Sequence, residues 1–159
     1  KSSEIQDTKD IQMQETDQIS AEDAESLGYA DKRVLIVEDV ELNMEIAEAM
    51  IGMTGVQIEK AYNGQEAVQM VREKPIGYFD LIFMDIQMPV MDGYEATRRI
   101  RAMRREDGEQ IPIYALSANA LAEDIENALQ AGMNGHIAKP IDMAPIEKVL
   151  RQHLSESQK

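Results

Sequence analysis

YFDLIFMDIQMPVMDGYEATRRI, residues 78–100, sets the apolar run Leu81-Ile82-Phe83-Met84 directly against an acid, Asp85, with Pro89 four residues further on. A carboxylate at the end of an apolar strand is costly unless it is solvated, paired or bound to a metal, so this position implies a use for the charge. The run has strand length. Pro89 ends regular structure beyond it, and Gly93 allows the turn into a helix expected from about Asp92 to Arg105. Asp92 and Glu95 make a capping pair at its start, with Tyr94, Ile100 and Met103 facing inward.

The same alternation extends in both directions. Val34–Val37 reads as a β-branched strand that also ends in acids, Glu38 and Asp39. Leu42, Ile46, Ala49, Met50 and Met53 then recur at three and four residues, so one face of the first helix reads as apolar. Val56–Ala61 reads as a second strand and Gln65–Arg72 as a second helix. Ile111–Leu116 is the fourth strand and Ala120–Ala131 a helix capped by Asn119. Gly135–Ala138 is a short fifth strand, and Asp142 caps a last helix carrying Ile146, Val149, Leu150 and Leu154. Five such units predict a parallel sheet with helices on both faces, and strands apolar throughout agree with burial on both sides.

The 159-residue chain suits one domain plus a tail. Residues 1–31 hold nine acids against two lysines, a net of −7 and half the formal charge of −14. They read as a disordered or loosely helical acidic linker, the alternative being a short docking helix. The domain is expected at 32–154, with a tail at 155–159. The charge argues against affinity for nucleic acid or an anionic membrane and favours a cation as partner. Absence of cysteine excludes disulfides and thiolate chemistry. No apolar run is long enough to span a bilayer, so the reading is a soluble, cytoplasmic domain. The chain begins at Lys1 rather than Met, which suggests a piece of something longer.

In parallel sheets of this kind, ligands bind at the carboxyl ends of the strands. Reading those ends gives Glu38 and Asp39, then Asp85, Ser117 and Lys139. Three carboxylates in one pocket repel one another, so either their pKa values rise or a divalent cation neutralises them. Oxygen ligands select a hard ion, and Mg²⁺ is the abundant choice. Lys139 adds a point charge suited to a phosphate oxygen, and Ser117 a donor. The set fits phosphoryl transfer onto Asp85 itself.

"VLIVEDVELN", "DLIFMDIQMPVMDGYEATRRIR", "IPIYALSANA" and "GMNGHIAKPID", in this order, resemble the response-regulator receiver domain of two-component signalling over roughly Lys32 to Leu154. The resemblance implies the flavodoxin-like (βα)5 fold, a doubly wound parallel five-stranded sheet. It implies Asp85 as phosphoacceptor, with Glu38, Asp39, Asp85 and the Gln87 backbone carbonyl as Mg²⁺ ligands. Ser117 would be the switch hydroxyl and Lys139 the phosphoryl contact, followed by a cis Lys139-Pro140 bond. Gln87 and Asn119 occupy positions that tune phosphoryl lifetime in that family. His136 stands where the family often has a switching Tyr or Phe, so it reads either as an edge residue or as a pH-sensitive switch. His153 reads as a helix-surface residue, and Arg98–Arg105 as the solvated face of the third helix.

The implied partners are a histidine kinase or a histidine phosphotransfer protein, with the surface of the fourth helix, fifth strand and fifth helix as output. The sequence leaves the oligomeric state open. The style of the motifs resembles the carboxyl-terminal receiver of a hybrid sensor histidine kinase, tethered to a membrane-bound parent, a stand-alone regulator being the alternative. The receiver itself only gains and loses its own phosphoryl group. Two other classes remain open. An aspartyl-phosphate phosphatase of the haloacid-dehalogenase type would carry an acid where Gln87 stands, and a pseudo-receiver scaffold would bind partners without phosphorylation.

Overall fold

The computed structural model describes residues 29–103, 111–118 and 122–154. Among these residues five strands, β1 (Arg33–Val37), β2 (Gln57–Ala61), β3 (Leu81–Asp85), β4 (Ile113–Ser117) and β5 (Gly135–Ala138), alternate with five helices. These are α1 (Glu41–Gly52), α2 (Gly64–Glu73), α3 (Gly93–Arg101), α4 (Ala122–Ala131) and α5 (Met143–Leu154). All strand pairs are parallel and the order is β2-β1-β3-β4-β5. The chain runs outward from β1 to β2 and then back across to β3. The sheet therefore reverses direction between β1 and β3, where a flavodoxin-like fold places its crevice.

Successive strand residues point to opposite faces, so a strand buried on both sides is apolar at every position. β3 and β4 are buried along their whole length, and β1 from Val34 onward. Leu35, Val37, Ile82, Met84, Ile113 and Ala115 pack under α2, α3 and α4. Val34, Ile36, Leu81, Phe83, Leu116 and Ile137 pack under α1 and α5. Tyr29, only 2% exposed, joins the second cluster, so the packed core reaches three residues upstream of Lys32.

Two expectations are corrected. The buried face of α1 is Met44, Ala47 and Ile51, whereas Leu42 and Ile46 are 64% and 45% exposed and Ala49 also points outward. Apolar residues at helical spacing occupy both faces of α1, so periodicity alone could not choose between them. His153 is not a plain surface residue: it is half-buried, and its Nε2 lies 2.7 Å from the Tyr114 hydroxyl.

The helix starts follow their caps. Asn63 accepts from the Glu66 N–H at 2.8 Å, while Glu66 accepts from the Tyr62 N–H at 2.8 Å. Asp92 accepts from the Glu95 N–H at 2.9 Å. The Glu95 carboxylate completes no reciprocal bond to Asp92; it pairs instead with Arg98 and Arg99 at 3.1 and 2.9 Å. These two arginines form the solvated face. Arg101 does not, because its Nε donates to the Gly132 carbonyl at 2.9 Å and its Nη2 to Asn134 Oδ1 at 3.0 Å. Arg104 and Arg105, the Asn119 cap and most of the acidic segment lie outside the described residues.

Candidate functional site

The strand ends meet as the register requires. Val37 pairs with Met84 across β1 and β3, so Glu38, Asp39 and Asp85 emerge side by side at the reversal point. Ladder bonds continue past the strands and fix the flanking residues. The Glu38 N–H donates to the Ala61 carbonyl at 3.0 Å, Ile86 N–H to Leu116 at 3.2 Å, and Lys139 N–H to Ser117 at 2.8 Å. The Lys139-Pro140 bond is cis.

Gly93 is needed for space rather than for a special backbone angle. A Cβ there would lie 2.3 Å from the Asp85 carbonyl oxygen and 3.0 Å from Ile86 Cα. Its N–H donates to the Ile86 carbonyl at 2.8 Å, so α3 starts hard against the strand that carries Asp85. Between them Val90 has φ +70°, spanned by a Met91 N–H to Pro89 carbonyl bond of 2.7 Å.

Glu38, Asp39, Val40, Asn43, Asp85, Gln87, Ser117, Ala118 and Lys139 line one cavity of about 210 Å³. A wider groove of about 480 Å³ lies on the other side of Gln87, between Met88, Tyr94, Asp92 and Asp124. None of its described lining residues is basic, and only the smaller cavity holds the converging acids, amine and hydroxyl.

Asp85 is 5% and Glu38 1% exposed, whereas Asp39 is half-buried. The Lys139 ammonium bridges the two buried acids, 2.8 Å from Glu38 Oε1 and 3.2 Å from Asp85 Oδ2. Glu38 Oε2 accepts from the Val40 N–H at 3.1 Å, and Asp85 Oδ1 from the Gln87 N–H at 3.2 Å. Burial pushes Asp85 up to about 6, the Glu38 charge adds to this, and Lys139 opposes it. Burial alone would lower Lys139, but the Glu38 and Asp85 carboxylates outweigh it and raise the amine. One ammonium thus leaves the acids only partly compensated, and a further cation would relieve them.

The donor set suits such a cation. Glu38, Asp39 and Asp85 each offer a carboxylate oxygen within 4.8 Å of the others. Oxygen-only donors beside a cavity with room for several waters match the preferences of Mg²⁺, which keeps several waters when bound. His136 stands apart on β5, half-exposed opposite Ala115, with no hydrogen-bond partner among the described residues. Asn119 lies outside the described residues. Sequence reasoning missed Val40 and Asn43 as cavity residues. Their signal was position, in the first turn after the acidic pair.

Comparison with known proteins agrees with this geometry. Residues 34–151 match the family model of the response regulator receiver domain. The chain is 41% identical over 121 residues to a probable histidine kinase 2 of Oryza sativa subsp. indica, covering 69% of this chain and 12% of that protein. It is 42% identical over 120 residues to the two-component response regulator ORR41 of Oryza sativa subsp. japonica, covering 74% and 91%. Among solved structures, it resembles the receiver domain of sensor histidine kinase PA1611 from Pseudomonas aeruginosa PAO1, which has a magnesium ion in its active-site cleft. That match has 42% identity, a TM-score of 0.70 and coverage of 78% of this chain and 98% of that one. It also resembles the receiver domain of Saccharomyces cerevisiae Ssk1, solved with the histidine phosphotransfer protein Ypd1. Here the identity is 32%, the TM-score 0.69 and the coverage 79% and 90%. The chain belongs to the response-regulator receiver family of two-component signalling.

Proposed function

We propose that Asp85 accepts a phosphoryl group from a phosphohistidine on a partner protein, and that the aspartyl phosphate changes which partners the domain binds. The observation that carries this reading is the convergence of Glu38, Asp39, Asp85, Ser117 and Lys139 on one small cavity. A carboxylate oxygen of Asp85 forms a bond to phosphorus as the nitrogen–phosphorus bond of the donor breaks, and the departing imidazole nitrogen takes a proton from solvent. The Lys139 ammonium, already 3.2 Å from Asp85, meets charge on the transferring oxygens, and the Ser117 hydroxyl supplies a further donor. Glu38, Asp39, Asp85 and the Gln87 carbonyl would hold Mg²⁺, whose charge neutralises the phosphoryl oxygens.

The donor has to approach past the start of α1 and the β3–α3 loop, which carry exposed apolar residues. Val40, Leu42, Ile46 and Val90 are 46%, 64%, 45% and 77% exposed at this end of the sheet. Such a face fits an apolar helix that presents a histidine at its centre. The Ssk1 receiver, a structural neighbour, was solved with a phosphotransfer protein, and we assign the exposed apolar face of α1 as the docking face here. Ser117 and His136 would carry the change outward to α4, β5 and α5.

Two contexts are open to such a module. The histidine kinase 2 match, of which the chain spans 12%, favours the receiver of a hybrid kinase facing the cytoplasm. The ORR41 match, spanned to 91%, favours a stand-alone regulator. Among the described residues no helix is long and apolar enough to cross a membrane. The reading is tested by mixing the chain with a histidine phosphotransfer protein carrying labelled phosphoryl. Label should move to the wild type and not to Asp85→Asn; label retained by the donor in both would refute it.

A further inference from the structure

The wall of the cavity contains a polar group that the fold itself does not use. Asn43 is the third residue of α1, half-buried, and lines the cavity beside Asp39 and Glu38. Asparagine is a poor helix former unless its amide caps the helix or a turn. At this position a side chain commonly reaches back to the N–H of the capping residue. Here that N–H, on Val40, is taken by Glu38 Oε2 at 3.1 Å. The Asn43 amide has no hydrogen-bond partner among the described residues, so both its oxygen and its NH₂ are available to whatever fills the cavity.

We infer that Asn43 is a positioning residue whose side-chain oxygen accepts a hydrogen bond from a water of the divalent-cation shell held by the acidic trio. The inference rests on the reading of that trio as a Mg²⁺ site. The cavity of about 210 Å³ has room for about seven water volumes, enough for a hydrated ion and more than a bare one needs. Mg²⁺ gives up its waters reluctantly, and those waters need acceptors. Groups that hold the outer shell in this way tune the affinity of the ion without touching it.

The test is calorimetric titration of Mg²⁺ into wild type, Asn43→Leu, Asn43→Ala and Asn43→Asp, with thermal unfolding of each metal-free protein. Losing one acceptor should weaken Mg²⁺ binding by about 3- to 10-fold in the Leu and Ala variants. Asn43→Asp, which keeps an oxygen, should bind at least as tightly as wild type. Metal-free unfolding midpoints of the Leu and Ala variants should be unchanged or raised, because both residues suit a helix better. Wild-type affinity in the Leu and Ala variants would overturn the inference alone, as would equal weakening in Asn43→Asp. A wild-type protein that neither binds Mg²⁺ nor gains a phosphoryl group from acetyl phosphate would overturn the reading beneath it as well.

Discussion

Lys139 Nζ lies 2.8 Å from Glu38 Oε1, joining the end of β5 to the end of β1 across 101 residues of sequence. The same ammonium touches Asp85, so one positive charge is shared between two carboxylates that are almost wholly buried. A buried acid that is only partly compensated costs folding energy.

Asp85→Asn should therefore stabilise the metal-free protein. At pH 7 the ionised Asp85, pushed up to about 6 mainly by burial and then by Glu38, opposes folding, whereas an amide removes the charge. The gain expected is about 1–3 kcal/mol, the linkage equivalent of that shift. Chemical denaturation at pH 7 with EDTA measures it. Added Mg²⁺ should stabilise the wild type and leave the variant nearly unmoved.

The two faces of α1 should separate docking from folding. Leu42→Glu and Ile46→Glu change exposed positions, so unfolding should shift by less than about 0.5 kcal/mol. Transfer from a phosphotransfer protein should slow by about tenfold or more, the loss of one well-placed apolar contact, while labelling by acetyl phosphate stays at the wild-type rate. Met44→Ala, on the buried face, should instead cost about 2–4 kcal/mol of stability.

The Tyr114–His153 pair, 2.7 Å apart between β4 and α5, gives the fold a pH dependence. Burial holds His153 below its usual 6.5. As pH falls below about 6.5 the unfolded chain takes the proton first, so this stability is present above that pH and is lost as pH drops through the lowered folded value. His153→Phe should flatten the slope of unfolding free energy in that window. Tyr114→Phe, which leaves the imidazole nitrogen without its hydroxyl, should cost roughly 0.5–1.5 kcal/mol near neutral pH.

The passage from β3 into α3 should respond oppositely at two positions. Gly93→Ala drives a methyl group against the Asp85 backbone and should cost about 2–4 kcal/mol, with slower phosphorylation because the acceptor is displaced. Val90→Gly relieves a β-branched residue from φ +70° with little packing to lose and should gain about 0.5–1 kcal/mol. Denaturant midpoints of the two variants decide both.

What the sequence made legible depended on whether a local pattern had one solution. β3 and β4 are apolar up to their last residues because each face meets helices, and Asp85 and Ser117 end them in plain view. The five polar strand-end residues could be named because parallel strands place their carboxyl ends together. The inward face of α1 could not be chosen, since Met44, Ala47 and Ile51 compete with Leu42, Ile46 and Ala49 at the same spacing. The bond from His153 to Tyr114 spans 39 residues and leaves no local trace. Gly93 was legible as a necessary glycine, but its reason, the nearness of the Asp85 carbonyl, belongs to tertiary packing. Asn43 was hidden for a related cause, because its meaning depends on Glu38 having already taken the Val40 N–H.

The central claim is that Asp85 is a phosphoacceptor whose chemistry requires a divalent cation. Intact mass after incubation with acetyl phosphate and Mg²⁺ tests it most directly, with EDTA-treated and Asp85→Asn samples alongside. One phosphoryl adduct on the wild type, absent from both controls, is the expected result. An adduct that persists in Asp85→Asn or in EDTA, or no adduct on a folded wild type that a phosphohistidine donor also fails to label, would contradict it.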